Sequence, residues 1–313
     1  RRGPRADGFK GSGRGSDAVF LGTASRGSGA TLPGIASSKV TGDHLRSPRG
    51  SLVIPSLDRH EILQETVERF LAFDFDAWEL IVVDQTQQPF AYLQQLSQQQ
   101  PEKVKYLRLE ARGLPNARNV GITAARGDIV LFVDDDVIPE PGFLDAHLAA
   151  YSDATVGGVA GRIVESIPRP KTLAEGAPIG RVRLLDGRIT RGFENLLAMD
   201  VDHAPGGNMS WRREILRTIG GFDRRFGGTA HLEESDVSLR VRAQGYRIRF
   251  VPQASLTHLS LQVGGCRELD LARWLYWYDE QRETFYTKDE NQNTRDVTFT
   301  ISDDQQNLIP AGI

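Results

Sequence analysis

The sequence predicts an α/β fold, in which helices cover both faces of a Rossmann-like, mostly parallel sheet. The first observation is that short apolar runs alternate with helical segments along the chain, which is the pattern of a sheet built from strand–helix units. The second is a composition of 39% hydrophobic and 25% charged residues, which is ordinary for a globular protein. At 313 residues the chain is long enough to bury a sizeable core.

The strands are predicted from short apolar runs rich in β-branched residues. They cover residues 51–55, 79–84, 104–109 and 128–133, and a later strand over residues 247–251 is expected to end at Pro252. Between them lie helical segments, of which residues 60–72 are the clearest, because apolar side chains share one stripe. That stripe consists of Ile62, Leu63, Val67, Phe70 and Leu71. It is expected to pack on the sheet.

The chain divides into four parts by composition. Residues 1–48 are rich in Gly, Ser and Arg and lack any period, so we expect a disordered leader. Residues 49–262 are expected to form the folded domain. Residues 263–287 predict an amphipathic helix and residues 288–313 a polar tail.

Charge and cysteine content exclude several classes of protein. The net charge of -3 provides no basic field for nucleic acid. Cys266 is the single cysteine and cannot form an internal disulfide, so a cytoplasmic location is the expectation. No apolar run approaches the roughly 20 residues that span a bilayer. Membrane contact is expected to be at most peripheral, at the cytoplasmic face, with Tyr276 and Trp277 as candidates.

Three aspartates follow the strand of residues 128–133. Because alternate side chains of an extended segment share a face, Asp134 and Asp136 can approach one cation while Asp135 points elsewhere. A small number of oxygen ligands suits magnesium or manganese. The alternative is a solvated acidic turn.

Two further candidates lie at strand and helix ends. Asp84 ends the second strand, where an exposed carboxylate could accept a hydrogen bond from a base or a ribose. A turn-forming role is the alternative. Arg118 lies near the start of a helix, where an arginine can bind an anion, or can simply be an exposed helical residue.

Later in the chain the candidates are acidic. Glu233 and Glu234 open a predicted helix that ends near Gly245, and both are candidates for a general base. Asp236 is expected to pair with Arg240 four residues on. The stretch of residues 205–210 is expected to be a flexible loop that lets a ligand approach the backbone.

Taken together and in this order, these runs resemble the inverting family 2 glycosyltransferases of the GT-A fold. The resemblance extends from about Ser51 to His258. The matching runs are residues 53–56 with Arg59, 79–84, 113–121, 127–136, 220–223 and 233–245. No single run is decisive, but the ordered set is highly specific.

The resemblance implies a single catalytic domain that transfers a sugar from a nucleotide-diphosphate donor to an acceptor hydroxyl on a saccharide or a lipid-linked glycan. It implies Mn²⁺ or Mg²⁺ as the cofactor. The implied donor-binding residues are Pro55, Ser56, Asp84, Arg118, Asp134 and Asp135. The implied metal ligands are Asp134, Asp136 and His258, and the implied general base is Glu234.

The chain departs from the family pattern at three places, of which the first is the lack of the common Thr-Tyr-Asn form after Pro55. Gln85 and Thr86 follow Asp84, where the family often has Asp, Gly and Ser, and Glu234 stands where the usual pair has Asp. Two other functions are alternatives to transfer: a nucleotidyltransferase that makes sugar nucleotides, and an inactive GT-A module that only binds carbohydrate. The sequence 55–58 lacks the Gly-rich basic loop of the former, and the acids that the latter would have lost are present.

Overall fold

The structure, a computed structural model, describes residues 49–73, 77–167, 178–183, 188–261 and Gly265. The leader of residues 1–48 and the tail of residues 288–313 lie outside the described residues. So does the predicted helix of residues 263–287, apart from Gly265. In the described part of the chain, no helix combines the length and apolar character needed to cross a membrane.

The predicted strands form, with bounds that shift by one or two residues at most within the first four. The strands are β1 (Gly50–Ser56), β2 (Trp78–Asp84), β3 (Val104–Arg108), β4 (Ile129–Val133), β5 (Val137–Pro139), β6 (Val156–Glu165), β7 (Val182–Arg183), β8 (Arg188–Ile189), β9 (Met199–Val201), β10 (Asn208–Arg212) and β11 (Arg247–His258). Within the described residues they make a nine-stranded sheet and a separate β7–β8 pair.

The large sheet has the order β3-β2-β1-β4-β10-β6-β11-β5, with β9 paired to β11. Strands β1 to β4 are mutually parallel, and β6 is parallel to β11. The antiparallel strands are β10, which lies between β4 and β6, and β5 and β9, which pair with β11. The prediction of a mostly parallel sheet is confirmed. The carboxyl ends of β1, β2 and β4 therefore meet at one edge.

The helices cover both faces of this sheet, as predicted. They are α1 (His60–Leu71), α2 (Ala91–Gln99), α3 (Leu114–Ala124), α4 (Phe143–Ala150), α5 (Arg213–Thr218) and α6 (Glu233–Ala243). Buried side chains of α1, α2 and α4 share one apolar cluster with one face of the sheet, and those of α3, α5 and α6 share a second cluster with the other face. Strands buried on both faces read as continuous apolar runs, as β4 does.

Helix α1 shows how the pattern produces the packing. Leu63, Val67 and Phe70 recur at helical spacing and are fully buried, while Glu65 and Glu68 point to solvent. Ile62 and Leu71, at the margins of the predicted stripe, are only partly buried. The helix directs its first turn, and with it Arg59 and His60, toward the carboxyl edge of the sheet.

Two local expectations were wrong. Strand β11 does not end at Pro252 but runs on to His258, through an irregularity between Val251 and Ser255 where the register with β6 shifts. A proline lacks a ladder donor and is tolerated at such an irregularity. There the side-chain amide of Asn208 donates to the carbonyl of Ala254 at 2.9 Å.

The second half of the expected loop of residues 205–210 is a strand. Asn208, Met209 and Ser210 are fully buried in β10, a central strand. The second of the two glycines before it marks close packing, because a Cβ on Gly207 would lie 2.5 Å from Oδ2 of Asp134. Glycine is required there because a neighbouring side chain leaves no room for another atom.

Candidate active site

Four strand ends meet at the carboxyl edge of the sheet. Ser56 at the end of β1 is the register partner of Asp84 at the end of β2. The aspartates 134–136 follow β4 directly. His258 ends β11 and is the register partner of Val137 in β5, which places it beside the aspartates. The fold thus brings together residues that are more than 120 positions apart in the chain.

Asp134, Asp136 and His258 form a cluster of possible metal ligands, with one ligand atom from each within 4.8 Å of the others. Nε2 of His258 lies 3.1 Å from Oδ1 of Asp136 and 3.8 Å from Oδ2 of Asp134. Nδ1 of His258 lies 3.0 Å from Oε2 of Glu165. A carboxylate on the other ring nitrogen orients a histidine ligand, so Glu165 directs Nε2 toward the two aspartates.

The surroundings of Asp136 fit a divalent cation. Its Oδ2 accepts the backbone N–H of Leu261 at 3.1 Å and lies 3.3 Å from Nη1 of Arg59. Its Oδ1 is buried and receives no well-directed hydrogen bond from the described residues. A buried acceptor normally has a partner, and two carboxylate oxygens with an imidazole nitrogen suit Mn²⁺ or Mg²⁺.

The charges of the cluster are strongly coupled. Burial lowers the pKa of His258, but Asp136 and Glu165 outweigh burial and raise it to about 10. Burial raises the pKa of Asp136, but His258 and Arg59 outweigh it, and the pKa lies below its usual value. The Asp136 carboxylate is therefore held ionised, which is the form that binds a metal, whereas His258 must release its proton when a metal binds.

Asp135 points away from Asp134 and Asp136, as the alternation of an extended segment predicts. Its Oδ2 accepts from the Ser56 hydroxyl at 2.5 Å, and its Oδ1 accepts from Nη1 of Arg59 at 2.9 Å. Burial raises the pKa of Asp135 to about 6 despite the opposing effect of Arg59. Asp135 therefore ties β1 and the start of α1 to the aspartate run. Pro55 and Ser56 are both buried at this edge.

Asp84 is not the exposed carboxylate that the sequence predicts. It is fully buried, and its oxygens accept from the Tyr106 hydroxyl at 2.7 Å and the backbone N–H of Thr86 at 2.8 Å. Nε2 of His60 lies 3.1 Å away. Strand β3 and helix α1 close over the end of β2, and that long-range packing buries the carboxylate. Any role in donor binding stays a prediction.

Sequence reasoning missed the aromatic pair beside Asp84. The His60 ring stacks on Phe90 at a centroid distance of 4.4 Å, with 5° between the planes. Burial and the Asp84 hydrogen bond raise the pKa of Tyr106 to about 12, so its hydroxyl remains a donor. No local motif marks these residues, because His60, Phe90 and Tyr106 meet only through the fold.

Arg118 lies in the interior, so the alternative of an exposed helical residue is wrong. It is 1% exposed and forms an ion pair with Glu233, which is also 1% exposed. Its Nη2 donates to the carbonyl of Gly206 at 2.9 Å. The guanidinium lies 5.4 Å from the centroid of the Phe222 ring. Asp236 pairs with Arg240 at 2.7 Å, as predicted.

Glu234 also lies beside the Gly206 backbone. It is 7% exposed, and its Cδ would lie 3.8 Å from a Cβ on Gly206, while Gly207 meets Asp134. Two consecutive glycines therefore separate the Glu234 carboxylate from the metal-ligand cluster. This arrangement places a potential base and a potential metal site around one dipeptide without side chains.

The chain is similar in sequence to known glycosyltransferases. The family model described as "Glycosyl transferase family 2" matches residues 51–220. Among curated relatives, the chain is 29% identical over 212 residues to the glucosyl-dolichyl phosphate glucuronosyltransferase of Haloferax volcanii, covering 65% of this chain and 66% of that protein. It is 33% identical over 153 residues to the pre-mycofactocin glycosyltransferase of Mycobacterium tuberculosis, covering 47% of this chain and 30% of that protein. The chain thus spans less than two thirds of the length of either relative.

Two solved structures are similar in fold. The mannosyltransferase PcManGT from Pyrobaculum calidifontis, in complex with GDP-Man and Mn²⁺, has a TM-score of 0.53 at 18% identity, covering 77% of this chain and 62% of that one. GalNAc-T7 with UDP, GalNAc and Mn²⁺ has a TM-score of 0.58 at 19% identity, covering 78% and 50%. At this level of identity, the likeness concerns the GT-A fold.

Proposed function

Because the chain belongs to glycosyl transferase family 2, we propose that it transfers a sugar from a nucleotide-diphosphate donor to an acceptor hydroxyl with inversion at the anomeric carbon. The chain is a glycosyltransferase of GT-A fold. The metal, the base and the stereochemistry are inferred from the site, and the substrates are inferred from the relatives.

The observation that carries the proposal is the arrangement around Gly206 and Gly207. Gly207 lies against Asp134, which forms a cluster with Asp136 and His258, and Gly206 lies against Glu234. A displacement at an anomeric carbon needs a positive charge at the leaving group and a base at the attacking hydroxyl. The ligand cluster would hold a cation that supplies the positive charge, and Glu234 would be the base.

Asp134, Asp136 and His258 are the residues that would hold a divalent cation. When bound, Mn²⁺ or Mg²⁺ supplies positive charge that stabilises the leaving diphosphate. Glu165 holds the His258 ring, and Arg59 with the backbone N–H of Leu261 holds Asp136. These contacts fix the ligands before the donor arrives.

Glu234 acts as the general base. It accepts the proton of the acceptor hydroxyl, whose oxygen forms a bond to the anomeric carbon. At the same time the bond from that carbon to the diphosphate breaks, and the nucleotide leaves with its electron pair. A single displacement of this kind inverts the configuration.

The donor and acceptor classes follow from the relatives. The two structural neighbours were solved with GDP-Man or UDP together with Mn²⁺, and the relative from Haloferax volcanii is named for glucosyl-dolichyl phosphate. We therefore infer a nucleotide-sugar donor and an acceptor that is a saccharide or a lipid-linked glycan. Pro55, Ser56 and Asp135 lie at the edge where the nucleotide is expected.

The experiment is a screen of nucleotide sugars with Mn²⁺, Mg²⁺ or EDTA, in which release of nucleotide is measured. We expect Mn²⁺-stimulated release of nucleoside diphosphate from one donor, and a rise in melting temperature when that donor and the metal bind together. Release of pyrophosphate from a nucleoside triphosphate and a sugar 1-phosphate would instead identify a nucleotidyltransferase. Binding of carbohydrate without turnover of any donor would identify an inactive module.

A further inference from the structure

We infer that Arg118 is a positioning residue for Glu234, acting through Glu233 and Gly206, and not a contact of the donor. This inference rests on the proposed function, in which Glu234 is the base. It assigns a role to Glu233 as well, because the two members of the buried pair act together.

Arg118 contacts two segments of the chain that lie beside Glu234. The Arg118 guanidinium bonds Glu233, the first residue of α6, and the carbonyl of Gly206, which precedes β10. One side chain of α3 thus fixes two backbone segments that flank Glu234. Glu234 follows Glu233 directly, and the Gly206 backbone lies beside its carboxylate.

The next residue of α3, Asn119, holds the backbone near Arg118. The Asn119 side chain donates to the carbonyl of Phe222 at 2.8 Å and accepts its N–H at 2.8 Å. These two hydrogen bonds hold the backbone of Phe222, whose ring faces the Arg118 guanidinium at 5.4 Å. The left-handed Gly221, at φ +73, lets the chain pass this close, because a Cβ there would lie 2.3 Å from Oδ1 of Asn119.

The Arg118 side chain is buried. It is 2% exposed, between the rings of Phe222 and Phe132. The guanidinium edges face a carboxylate and a carbonyl of the protein. A diphosphate could reach it only by displacing Glu233 or Gly206, which a buried charged pair resists. The side chain is therefore placed to hold the site, not to touch its substrate.

Displacement of a reacting group by about 1 Å can cost roughly 10²-fold in rate. We therefore expect Arg118→Met and Glu233→Gln each to lower kcat by about 10- to 10²-fold. Donor and Mn²⁺ dissociation constants should stay within about twofold, since neither contact is part of donor or metal binding. Because the two residues act as a unit, the double variant should lose no more than the worse single variant.

Glu79→Gln provides a matched control. Glu79 is another fully buried glutamate with ionic partners, Lys105 and Arg126, but it lies near the start of β2, at the opposite end of the strand from Asp84. The same substitution should lower the melting temperature there while leaving kcat unchanged. If the fall in kcat were caused only by lost stability, both Glu233→Gln and Glu79→Gln would show it.

Two outcomes would overturn the inference. One is a donor dissociation constant that Arg118→Met raises by about tenfold or more and Glu233→Gln does not. That result would make Arg118 a donor contact. The other is a normal kcat in folded Arg118→Met and Glu233→Gln proteins alongside an inactive Glu234→Gln. If instead wild-type protein transfers no sugar from any donor, or Glu234→Gln transfers normally, the proposed function fails, and its failure is seen separately.

Discussion

At the scale of single residues, the acids of the carboxyl edge differ in their surroundings. Asp136 is fully buried and bonded through one oxygen, Asp134 is partly exposed, and Asp135 is tied to Ser56 and Arg59. These differences give each acid a separate role. Asp136 and Asp134 are available to a cation, and Asp135 holds the frame around them.

Asp136→Asn should abolish Mn²⁺-stimulated turnover and leave the fold intact. Asparagine keeps the shape and can still accept the N–H of Leu261, but it removes the charge that a hard cation requires. Turnover and the Mn²⁺-induced rise in melting temperature are the measurements. Asp145→Asn, on the exposed side of α4, is the control and should behave as wild type. Normal Mn²⁺-stimulated turnover in a folded Asp136→Asn protein rules out the metal assignment.

Glu234→Gln should reduce sugar transfer by about 10²- to 10⁴-fold, which is the usual contribution of a positioned base. Glutamine preserves size and hydrogen bonding, so donor and Mn²⁺ affinities should persist. Steady-state transfer rates and donor titration separate the two effects. If Glu234→Gln is nearly as active as wild type while Glu233→Gln is inactive, Glu233 is the base; if neither matters, the base lies elsewhere.

At the scale of elements, the entry to β10 connects the two halves of the site. Gly206 and Gly207 precede Asn208, which bonds the carbonyls of Arg162 in β6 and Ala254 in β11 at 2.9 Å each. The His147 ring of α4 bonds the side chains of Asn208 and Ser210, also at 2.9 Å. This buried network fixes the strand that directly follows the two glycines.

Gly207→Ala should weaken Mn²⁺ binding and lower kcat together. The added Cβ would lie 2.5 Å from Oδ2 of Asp134, so the carboxylate must move away from the cluster. Gly206→Ala is the matched comparison, because its Cβ would come no closer than 3.4 Å to another atom. The Mn²⁺ dissociation constant of each variant is the measurement. Equal Mn²⁺ affinity in Gly207→Ala and wild type would contradict the close contact.

The His147 network predicts a pH dependence of stability. Burial lowers the pKa of His147 from 6.5 to about 4. The unfolded chain therefore binds an extra proton between these values, so His147 contributes stability above pH 6.5 that is lost as pH falls toward 4. The buried Asp135, with its raised pKa, contributes in the opposite direction, so a comparison of variants is needed.

His147→Gln should flatten this dependence. Glutamine can still bond within the network but does not titrate, so its free energy of unfolding should fall less than that of wild type between pH 6.5 and 4. Urea unfolding at several pH values measures the difference. Parallel pH profiles for the two proteins would show that His147 does not titrate in the way its burial implies.

At the scale of the whole molecule, the strand–helix order and the aspartate motif could be predicted because they depend on local patterns. Runs such as residues 129–133 show their burial in their composition, and Asp134 and Asp136 follow them directly. The burial of Asp84 and of Arg118 could not be predicted. Each depends on elements packed from elsewhere in the chain: β3 and α1 over Asp84, and α6 over Arg118. Strand β11 continued past Pro252 for the same reason, since Asn208 bonds the irregular segment.

Metal-dependent, inverting transfer is tested most directly by the anomeric configuration of the product. The configuration is followed by proton NMR during transfer from the nucleotide sugar that the donor screen identifies, with Mn²⁺ present and with EDTA. We expect product to form only with the metal. Its first-formed anomer should have the configuration opposite to that of the donor, because Glu234 activates the acceptor for one displacement. A first-formed product with the donor's configuration, or equal rates in EDTA, would contradict metal-dependent, inverting transfer.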